Sequence, residues 1–306
     1  MAHRLALLIA MGLGACHGSG GAKPGDDATL LDTTTDPAEQ AANDDKQCAA
    51  GDLEACRRLG TAYLEGKGVS QDLPRSTALF QQACNGGIMS ACNALANAYA
   101  EGTGIEKNPQ RAAEVYQRAC DGGIKPACRN LGLLLRDGRG VPADLPRAEL
   151  LLDKACKGSV PLACTSAGDL DAMLAAKGAP NRTKQAIAHY KHGCETGDPT
   201  ACRQLGIVYL DGKGMPKSPT TAQVWLQRAC LADEPVACRL LGAMLVQGAG
   251  VPRDVERGRQ LLVRACDAKD ADACRQLESL HEPPSDAGVP EAPADAGAEL
   301  HANGAP

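Results

Sequence analysis

Aromatic residues are scarce in this sequence. It contains one Trp, one Phe and five Tyr in 306 residues, or 2% of the chain, although hydrophobic residues make up 44%. Since aromatic side chains supply the largest buried areas in ordinary cores, a core of this chain has to be built mostly from Leu, Ala and Val. We therefore expect small side chains that pack closely over a thin core.

The chain also lacks the short motifs of the common catalytic and metal sites. It has no C-x-x-C, which removes the usual spacing of zinc ribbons, thioredoxin-like sites and haem attachment. No serine starts an S-x-x-K motif, whether at Ser90, Ser159, Ser166 or Ser218. The segment GTAYLEGKG at residues 60–68 resembles a phosphate loop, but it has five residues between Gly60 and Gly66 and no following Ser or Thr, so it is a turn.

Two histidines are the remaining candidates for metal binding. His189 and His192 could share one helix face, but no third ligand has a suitable spacing. We therefore predict no metal and no cofactor, and the catalytic residues of any reaction are unknown.

The N-terminus has the form of an export signal. Arg4 precedes an apolar run over residues 5–15 that is too short to span a bilayer. The end of this run, Leu13-Gly14-Ala15-Cys16, resembles a bacterial lipobox, which implies cleavage before Cys16 and lipidation of Cys16. The alternative is an ordinary secretory signal with a chance cysteine. His17 follows the cysteine in place of Asp, which by analogy with enteric lipoproteins implies the outer membrane.

Charge is distributed unevenly along the chain. The net charge is −5, whereas residues 48–275 contain 29 Lys or Arg against 24 Asp or Glu. The acidic flanks are rich in Pro, Ala, Gly and Asp, and such segments are predicted to be disordered. We therefore divide the chain into a signal peptide at 1–15, a lipidated Cys16 with an acidic linker at 16–47, a repeat array at 48–281 and an acidic tail at 282–306.

Fourteen of the fifteen cysteines form a regular series of C-x7-C pairs. These are Cys48 and Cys56, Cys84 and Cys92, Cys120 and Cys128, Cys156 and Cys164, Cys194 and Cys202, Cys230 and Cys238, and Cys266 and Cys274. Successive pairs are 36 residues apart, except for one step of 38. A fixed period in this range is typical of a solenoid built from small repeated units.

Each unit predicts two antiparallel helices, so the fold class is an all-α solenoid of αα-hairpins. In the unit at 55–90, Ala55, Cys56 and Leu59 share one helical face, and glycines at 66 and 68 end that helix. The second helices follow N-cap residues Asp72, Asn108, Asp144, Ser218 and Asp254, mostly with a proline just inside. Repeats begin at 55, 91, 127, 163, 201 and 237, after a partial helix at 37–48, and a capping helix from Ala273 to about His281 closes the array.

Two disulfide schemes bring helix ends together. Cys56 could pair with Cys84 inside a unit, or Cys84 with Cys92 across the junction between units. The longer loop is slightly favoured by closure entropy, at about 3.6 against 2.6 kcal/mol per bridge. The first scheme leaves Cys48 and Cys274 without partners, however, whereas the second pairs all fourteen. We therefore predict one C-x7-C disulfide at each junction.

The pattern AC-x-x-LG-x-x-Y-L-x-G-x-G-V, followed by a second helix ending in R-A-C, resembles the Sel1-like repeat. Its 36-residue form with cysteines is similar to the Helicobacter cysteine-rich protein family over about residues 48–281. The resemblance implies an αα-superhelix with junction disulfides. Some members of that family are described as binding penicillins or slowly hydrolysing β-lactams, so it also implies an alternative function as a penicillin-binding protein or weak β-lactamase that recognises peptidoglycan peptides.

One position in each repeat forms what we call the arginine ladder. The residue after each first-helix cysteine is Arg57, Asn93, Arg129, Thr165, Arg203, Arg239 and Arg275. Guanidinium groups suit carboxylates, so the ladder would line a concave groove and bind ligand there. The alternative is a solvated face that pairs with local Glu and Asp.

The sequence therefore predicts an envelope-tethered lipoprotein that acts as a scaffold for a protein or peptide partner. We expect the partner to be acidic or carboxylate-bearing and not a nucleic acid. We expect the scaffold to be a monomer, with its repeat domain in the periplasm or at the cell surface. One repeat, at 163–200, has Ala167 and Asp171 in place of the Leu59 and Tyr63 equivalents, and two extra residues. It either bends the groove or is a tolerated insertion.

Overall fold

The computed structural model describes residues 36–179, 181–212 and 215–281. These residues form fourteen α-helices and no strand. The first is α1 (Pro37–Ala49) and the last is α14 (Ala271–His281). Between them lie six hairpins: α2 (Leu53–Glu65) with α3 (Leu73–Asn85), α4 (Met89–Glu101) with α5 (Pro109–Asp121), α6 (Lys125–Asp137) with α7 (Leu145–Lys157), α8 (Ala163–Ala176) with α9 (Arg182–Glu195), α10 (Pro199–Asp211) with α11 (Pro219–Leu231), and α12 (Pro235–Gln247) with α13 (Val255–Asp267). The predicted all-α hairpin solenoid is confirmed.

Capping side chains set the start of each regular second helix. The Asp72 carboxylate accepts the Arg75 N–H at 3.0 Å, and Asp144 accepts the Arg147 N–H at the same distance. The predicted caps Asn108, Ser218 and Asp254 also bind the backbone of their own helices. A proline opens α3, α5, α7 and α11 at a position where the missing N–H has no partner to lose.

The G-x-G turn after a first helix has two roles. Gly102 adopts the left-handed conformation at φ 83°, and its N–H binds the Ala98 carbonyl at the end of α4. Gly104 also has a positive φ, and a Cβ there would overlap the Leu73 carbonyl in the preceding hairpin. The first glycine therefore ends its own helix, and the second lets consecutive hairpins approach closely.

A glycine opposite a large side chain keeps the two helices of a hairpin close together. A Cβ added to Gly132 would lie 2.9 Å from Leu152 Cγ, and one added to Gly206 would lie 2.7 Å from Leu226 Cγ. Both leucines are 0% exposed. The thin core expected from the shortage of aromatic residues is thus filled by leucines that pack against backbone.

Seven disulfides connect the end of each unit to the start of the next. They are Cys48–Cys56, Cys84–Cys92, Cys120–Cys128, Cys156–Cys164, Cys194–Cys202, Cys230–Cys238 and Cys266–Cys274. In the Cys84–Cys92 bridge the Cα atoms are 4.6 Å apart, within the normal range for disulfides. The predicted pairing across the junctions is confirmed.

First helices of neighbouring hairpins lie closer together than second helices do. Contacts join α6 to α8, α8 to α10 and α12 to α14, in addition to those between consecutive helices. This places the first helices on the inner side of the curve of the solenoid. We call the surface formed by α2, α4, α6, α8, α10, α12 and α14 the inner face.

The helical array starts inside the segment assigned to the linker at 16–47. Helix α1 begins at Pro37 and packs on α2, and the buried Asp44 carboxylate lies 2.7 Å from Arg58 Nη2. The predicted signal peptide at 1–15, the predicted lipidation site Cys16 and the tail at 282–306 lie outside the described residues. Among the helices described, none combines the length and the apolar character that crossing a membrane requires.

Candidate functional site on the inner face

The structure separates the arginine ladder into paired and unpaired positions. Four of its arginines have a carboxylate partner: Arg57 with Glu54, Arg203 with Glu234, Arg239 with Asp270, and Arg275 with Asp272. The side chains of Arg203 and Arg239 are only 21% and 18% exposed. The ladder is therefore not a continuous row of free guanidinium groups, and local pairing accounts for these four positions.

Towards the end of the array, a single carboxylate serves two neighbours. Glu234 is the N-cap of α12, where its Oε2 accepts the Ala237 N–H at 2.5 Å. Its Oε1 lies 2.9 Å from Arg203 Nε on the preceding first helix. Glu234 stands four residues before the cysteine of α12, and the residues at the same position behave alike: Asp270 caps α14 and pairs with Arg239, and Asp198 caps α10 and accepts the Thr165 hydroxyl at 2.6 Å.

In the middle of the array this carboxylate is replaced by an apolar residue. The equivalents of Glu234 are Ile88, Ile124 and Val160. Helices α4, α6 and α8 accordingly begin without a side-chain cap. Two ladder residues here, Asn93 and Arg129, have a buried polar atom (Oδ1 and Nε) with no hydrogen-bond partner among the described residues. Arg203 Nε also lacks hydrogen-bond geometry, but it has the Glu234 carboxylate at 2.9 Å. Burial lowers the pKa of Arg129 because it disfavours the charged guanidinium.

A hydrogen-bond network holds Arg129 on the inner face. Arg129 Nη1 donates to Asn130 Oδ1 at 3.3 Å, and Asn130 Nδ2 donates to Asn97 Oδ1 at 3.2 Å. The Tyr116 hydroxyl donates to the same Asn97 oxygen at 2.6 Å. Burial raises the pKa of Tyr116 to about 12, so its hydroxyl remains a donor at neutral pH.

An equivalent network recurs two repeats later. The Tyr190 hydroxyl and Gln204 Nε2 both donate to Asp169 Oδ1, at 2.8 and 3.1 Å. Arg203 Nη1 donates weakly to Gln204 Oε1 at 3.4 Å. Neither network was predicted from the sequence. Their signal is a tyrosine four residues before the second-helix cysteine, where the other hairpins have Phe or Leu.

Each network borders a cavity of the inner face. A cavity of about 530 Å³ lies between α4, α5 and α6, and its lining includes Tyr116, Asn130 and Leu133. A second one, of about 550 Å³, lies between α8, α9 and α10, next to Tyr190 and Ile207. Alanines at 172, 175, 176 and 186 make the second cavity more apolar than the first. Both volumes suit side chains of a bound peptide or a small ligand.

The two candidate histidines lie in different surroundings. His189 contacts the buried Asp171 at 2.9 Å, whereas His192 is exposed. His192 lies near Cys156 and Cys164, with their ligand atoms within 4.8 Å of one another. Because the two sulfurs are joined in a disulfide, they present no thiolate to a metal, and the group carries no metal assignment.

A sequence model described as the Sel1 repeat matches five stretches of the chain. They are residues 53–88, 90–124, 125–160, 199–234 and 235–270. The stretch between the third and fourth matches, residues 161–198, covers all but the last two residues of the irregular repeat predicted at 163–200. No curated protein matches the sequence.

Solved structures share the solenoid fold. A Sel1 repeat protein from Oxalobacter formigenes is 26% identical, with a TM-score of 0.68 over 80% of this chain and 70% of that one. A protective antigen of uropathogenic Escherichia coli is 23% identical, with a TM-score of 0.65 over 79% of this chain and 52% of that one, so this chain spans about half its length. Helicobacter pylori cysteine rich protein B is 25% identical, with a TM-score of 0.36, over 44% of this chain and 96% of that one.

Proposed function

The chain belongs to the Sel1 repeat family, and because members of this family commonly bind protein partners, we propose that its inner face holds a protein or peptide as a monomeric scaffold. The observation that supports this most strongly is the set of three buried polar atoms on the ladder, Asn93 Oδ1, Arg129 Nε and Arg203 Nε, that lack a hydrogen-bond partner among the described residues. Of these, Arg203 Nε has a carboxylate nearby, at 2.9 Å in Glu234. Buried polar atoms without a partner are costly inside a protein unless a ligand or an ordered water satisfies them, and an inner face that binds a ligand provides the partner. The cavities beside Leu133 and Ile207 open on the same surface.

A selected peptide tests the inner face directly. The purified mature protein is used to select peptides from a random display library, and binding of the selected peptides is then measured by fluorescence anisotropy. The double variant Leu133→Arg, Ile207→Arg places charge at the rims of both cavities and is expected to abolish binding. The matched control, Leu150→Arg with Val224→Arg, changes second-helix residues that are 72% and 63% exposed, and should bind as the wild type does.

Two outcomes count against the scaffold. If the control variant loses binding and the inner-face variant keeps it, the partner surface lies on the second helices. If no peptide is selected and the purified protein instead hydrolyses a chromogenic cephalosporin, the β-lactam alternative replaces the scaffold.

The scaffold is also proposed to be anchored to the bacterial envelope through a lipid on Cys16. Its seven disulfides indicate an oxidising, extracytoplasmic compartment. The lipobox-like Leu13-Gly14-Ala15-Cys16 would place the cleavage after residue 15, with outer-membrane sorting from His17. Labelled palmitate should enter the wild-type protein and the outer-membrane fraction, and Cys16→Ser should lose the label. Label in the Cys16→Ser variant would contradict the anchor.

A further inference from the structure

The repeats of this chain provide an internal template for a carboxylate site. At the junction of α10 and α12, the Glu234 side chain caps α12 and neutralises Arg203. At the junction of α12 and α14, Asp270 has the same two roles towards α14 and Arg239. One side-chain carboxylate between a ladder arginine and the next first helix is thus the arrangement that completes a junction.

The junction of α6 and α8 has a ladder arginine and the start of a first helix, which are the two groups that bind the carboxylate in the template. It has no carboxylate between them. Arg129 occupies the ladder position, and its Nε is buried without a hydrogen-bond partner in the described residues. Val160 stands where Glu234 stands in its own repeat, and α8 begins at Ala163 after Leu162, which makes no capping bond. A helix of 14 residues therefore begins without a side-chain cap, and the ladder arginine of the preceding first helix has no salt bridge among the described residues. A helix N-terminus and an arginine both attract an anion.

Arg129 also resembles Arg203 in how it is held. Both donate to an amide side chain, Asn130 or Gln204, that belongs to a tyrosine-anchored network. The two sites differ in the carboxylate partner of the guanidinium, and also in the residue that the tyrosine binds, which is Asn97 near Arg129 and Asp169 near Arg203. Arg203 has Glu234, and Arg129 has none.

We propose that the junction of α6 and α8 binds an Asp or Glu side chain of the peptide partner, which takes the place that Glu234 fills two repeats later. The site rests on the proposed scaffold function and names the part of the partner that is recognised. An acidic side chain is preferred to a terminal carboxylate because both carboxylates of the template, from Glu234 and Asp270, come from side chains.

The cavity beside the missing cap has room for part of the chain that carries this carboxylate. It measures about 160 Å³, and its lining includes Val160, Leu162 and Asp198. Asp198 is already engaged, through one oxygen with the start of α10 and through the other with Thr165. The charge of Asp198 also acts on Arg129, where it opposes the lowering of the pKa by burial, but no salt bridge joins the two residues in the part of the chain that the structure describes. The position in direct contact with Arg129 is therefore left to the ligand.

The probe is octaglutamate, acetylated and amidated and carrying a fluorophore, with octaglutamine as its uncharged counterpart. Octaglutamate should bind the wild-type protein, more weakly as salt is raised, and octaglutamine should not. Arg129→Gln should raise the Kd for octaglutamate at least tenfold. Arg57→Gln, which removes the same charge from a ladder position already paired with Glu54, should change it less than twofold.

A second variant places the carboxylate in the protein itself. Val160→Glu introduces the residue type found at this position in the template. The new carboxylate should pair with Arg129 and raise the Kd for octaglutamate at least tenfold. Val160→Gln should leave the Kd unchanged. Because Val160→Glu adds a carboxylate partner for Arg129, it should also fold at least as stably as the wild type, which separates lost binding from lost structure.

Several results would overturn this site. They are wild-type affinity in both Arg129→Gln and Val160→Glu, an equal loss in Arg57→Gln, and failure of octaglutamate to bind at millimolar concentration. Octaglutamine with a free terminal carboxylate that binds as well as octaglutamate would overturn the choice of an acidic side chain. If library peptides bind the wild type and Arg129→Gln equally, the site is wrong and the scaffold stands, whereas the loss of all peptide selection removes the scaffold.

Discussion

Asp171 is a carboxylate at a position where the other hairpins have Tyr or Leu, and it is 2% exposed. Its oxygens lie 2.9 Å from Arg182 Nη1 and 2.9 Å from His189 Nδ1. The same Arg182 nitrogen lies 2.6 Å from Glu149, and His189 Nε2 lies 3.6 Å from Asp153. Charge thus connects α7, α8 and α9 where the regular hairpins use apolar contacts, which is how the irregular repeat accommodates a charged residue in its core.

The His189 contacts predict a pH-dependent stability. The hydrogen bond with Asp171 raises the pKa of His189 above its ordinary 6.5, although burial opposes the shift. A histidine whose folded pKa is raised contributes stability that is complete below pH 6.5 and is lost as pH rises through the folded pKa. Urea unfolding between pH 5.5 and 8.5 should show a free energy of unfolding that declines more steeply for the wild type than for His189→Gln. His192→Gln removes an exposed histidine from the same helix, and its free energy of unfolding should decline with pH as steeply as that of the wild type. If the free energy of unfolding of His189→Gln also declined as steeply as that of the wild type, His189 would not be the source of the pH dependence.

At the scale of helices, local chemistry was predictable from the sequence and contacts between units were not. The cap at Asp72 was predicted because a cap binds N–H groups within three residues of itself. The pairing of Arg203 with Glu234 spans 31 residues, and no local rule selects one acid among several at that distance. The sequence did contain a signal, since acids stand four residues before the first-helix cysteine only in some repeats. Val160 stands at this position in place of an acid, and the consequence for Arg129 becomes visible only when the structure shows where Arg129 lies.

The glycines of the first helices give the second prediction. In an exposed helix, Gly→Ala usually stabilises by about 1 kcal/mol. In Gly206→Ala the new Cβ would lie 2.7 Å from Leu226 Cγ and 2.8 Å from Cδ2, in a site where overpacking costs about 1–3 kcal/mol. We therefore expect a net loss of about 1 kcal/mol in the free energy of unfolding.

A double-mutant cycle isolates this contact. In the Leu226→Ala background the clash is absent, so Gly206→Ala should become stabilising there. An equal loss in both backgrounds would show that the contact with Leu226 is not the cause.

At the scale of the whole array, the disulfides compensate for the thin core that the shortage of aromatics imposes. Each closes a loop of about nine residues, for which chain entropy predicts about 2.6 kcal/mol. The sequence was sufficient for the pairing because its fixed period places every C-x7-C at a junction. It was not sufficient for the curvature or for which face collects the unpaired polar groups, because these depend on how closely successive first helices approach.

The position of a disulfide in the array predicts the extent of unfolding when it is removed. Stability in a solenoid is close to a sum of repeat terms and nearest-neighbour terms, so a weakened interface acts differently at the centre and at the end. Replacing Cys120 and Cys128 by Ala weakens the junction of α5 and α6, in the middle of the array. This should lower the unfolding midpoint and raise amide hydrogen exchange in helices on both sides of the junction.

Replacing Cys266 and Cys274 by Ala should raise exchange mainly in α14, because only the last helix depends on that bridge to stay docked. Hydrogen exchange resolved by mass spectrometry distinguishes the two patterns, and an equal spread of unfolding from both double variants would mean that the array unfolds as a single cooperative unit.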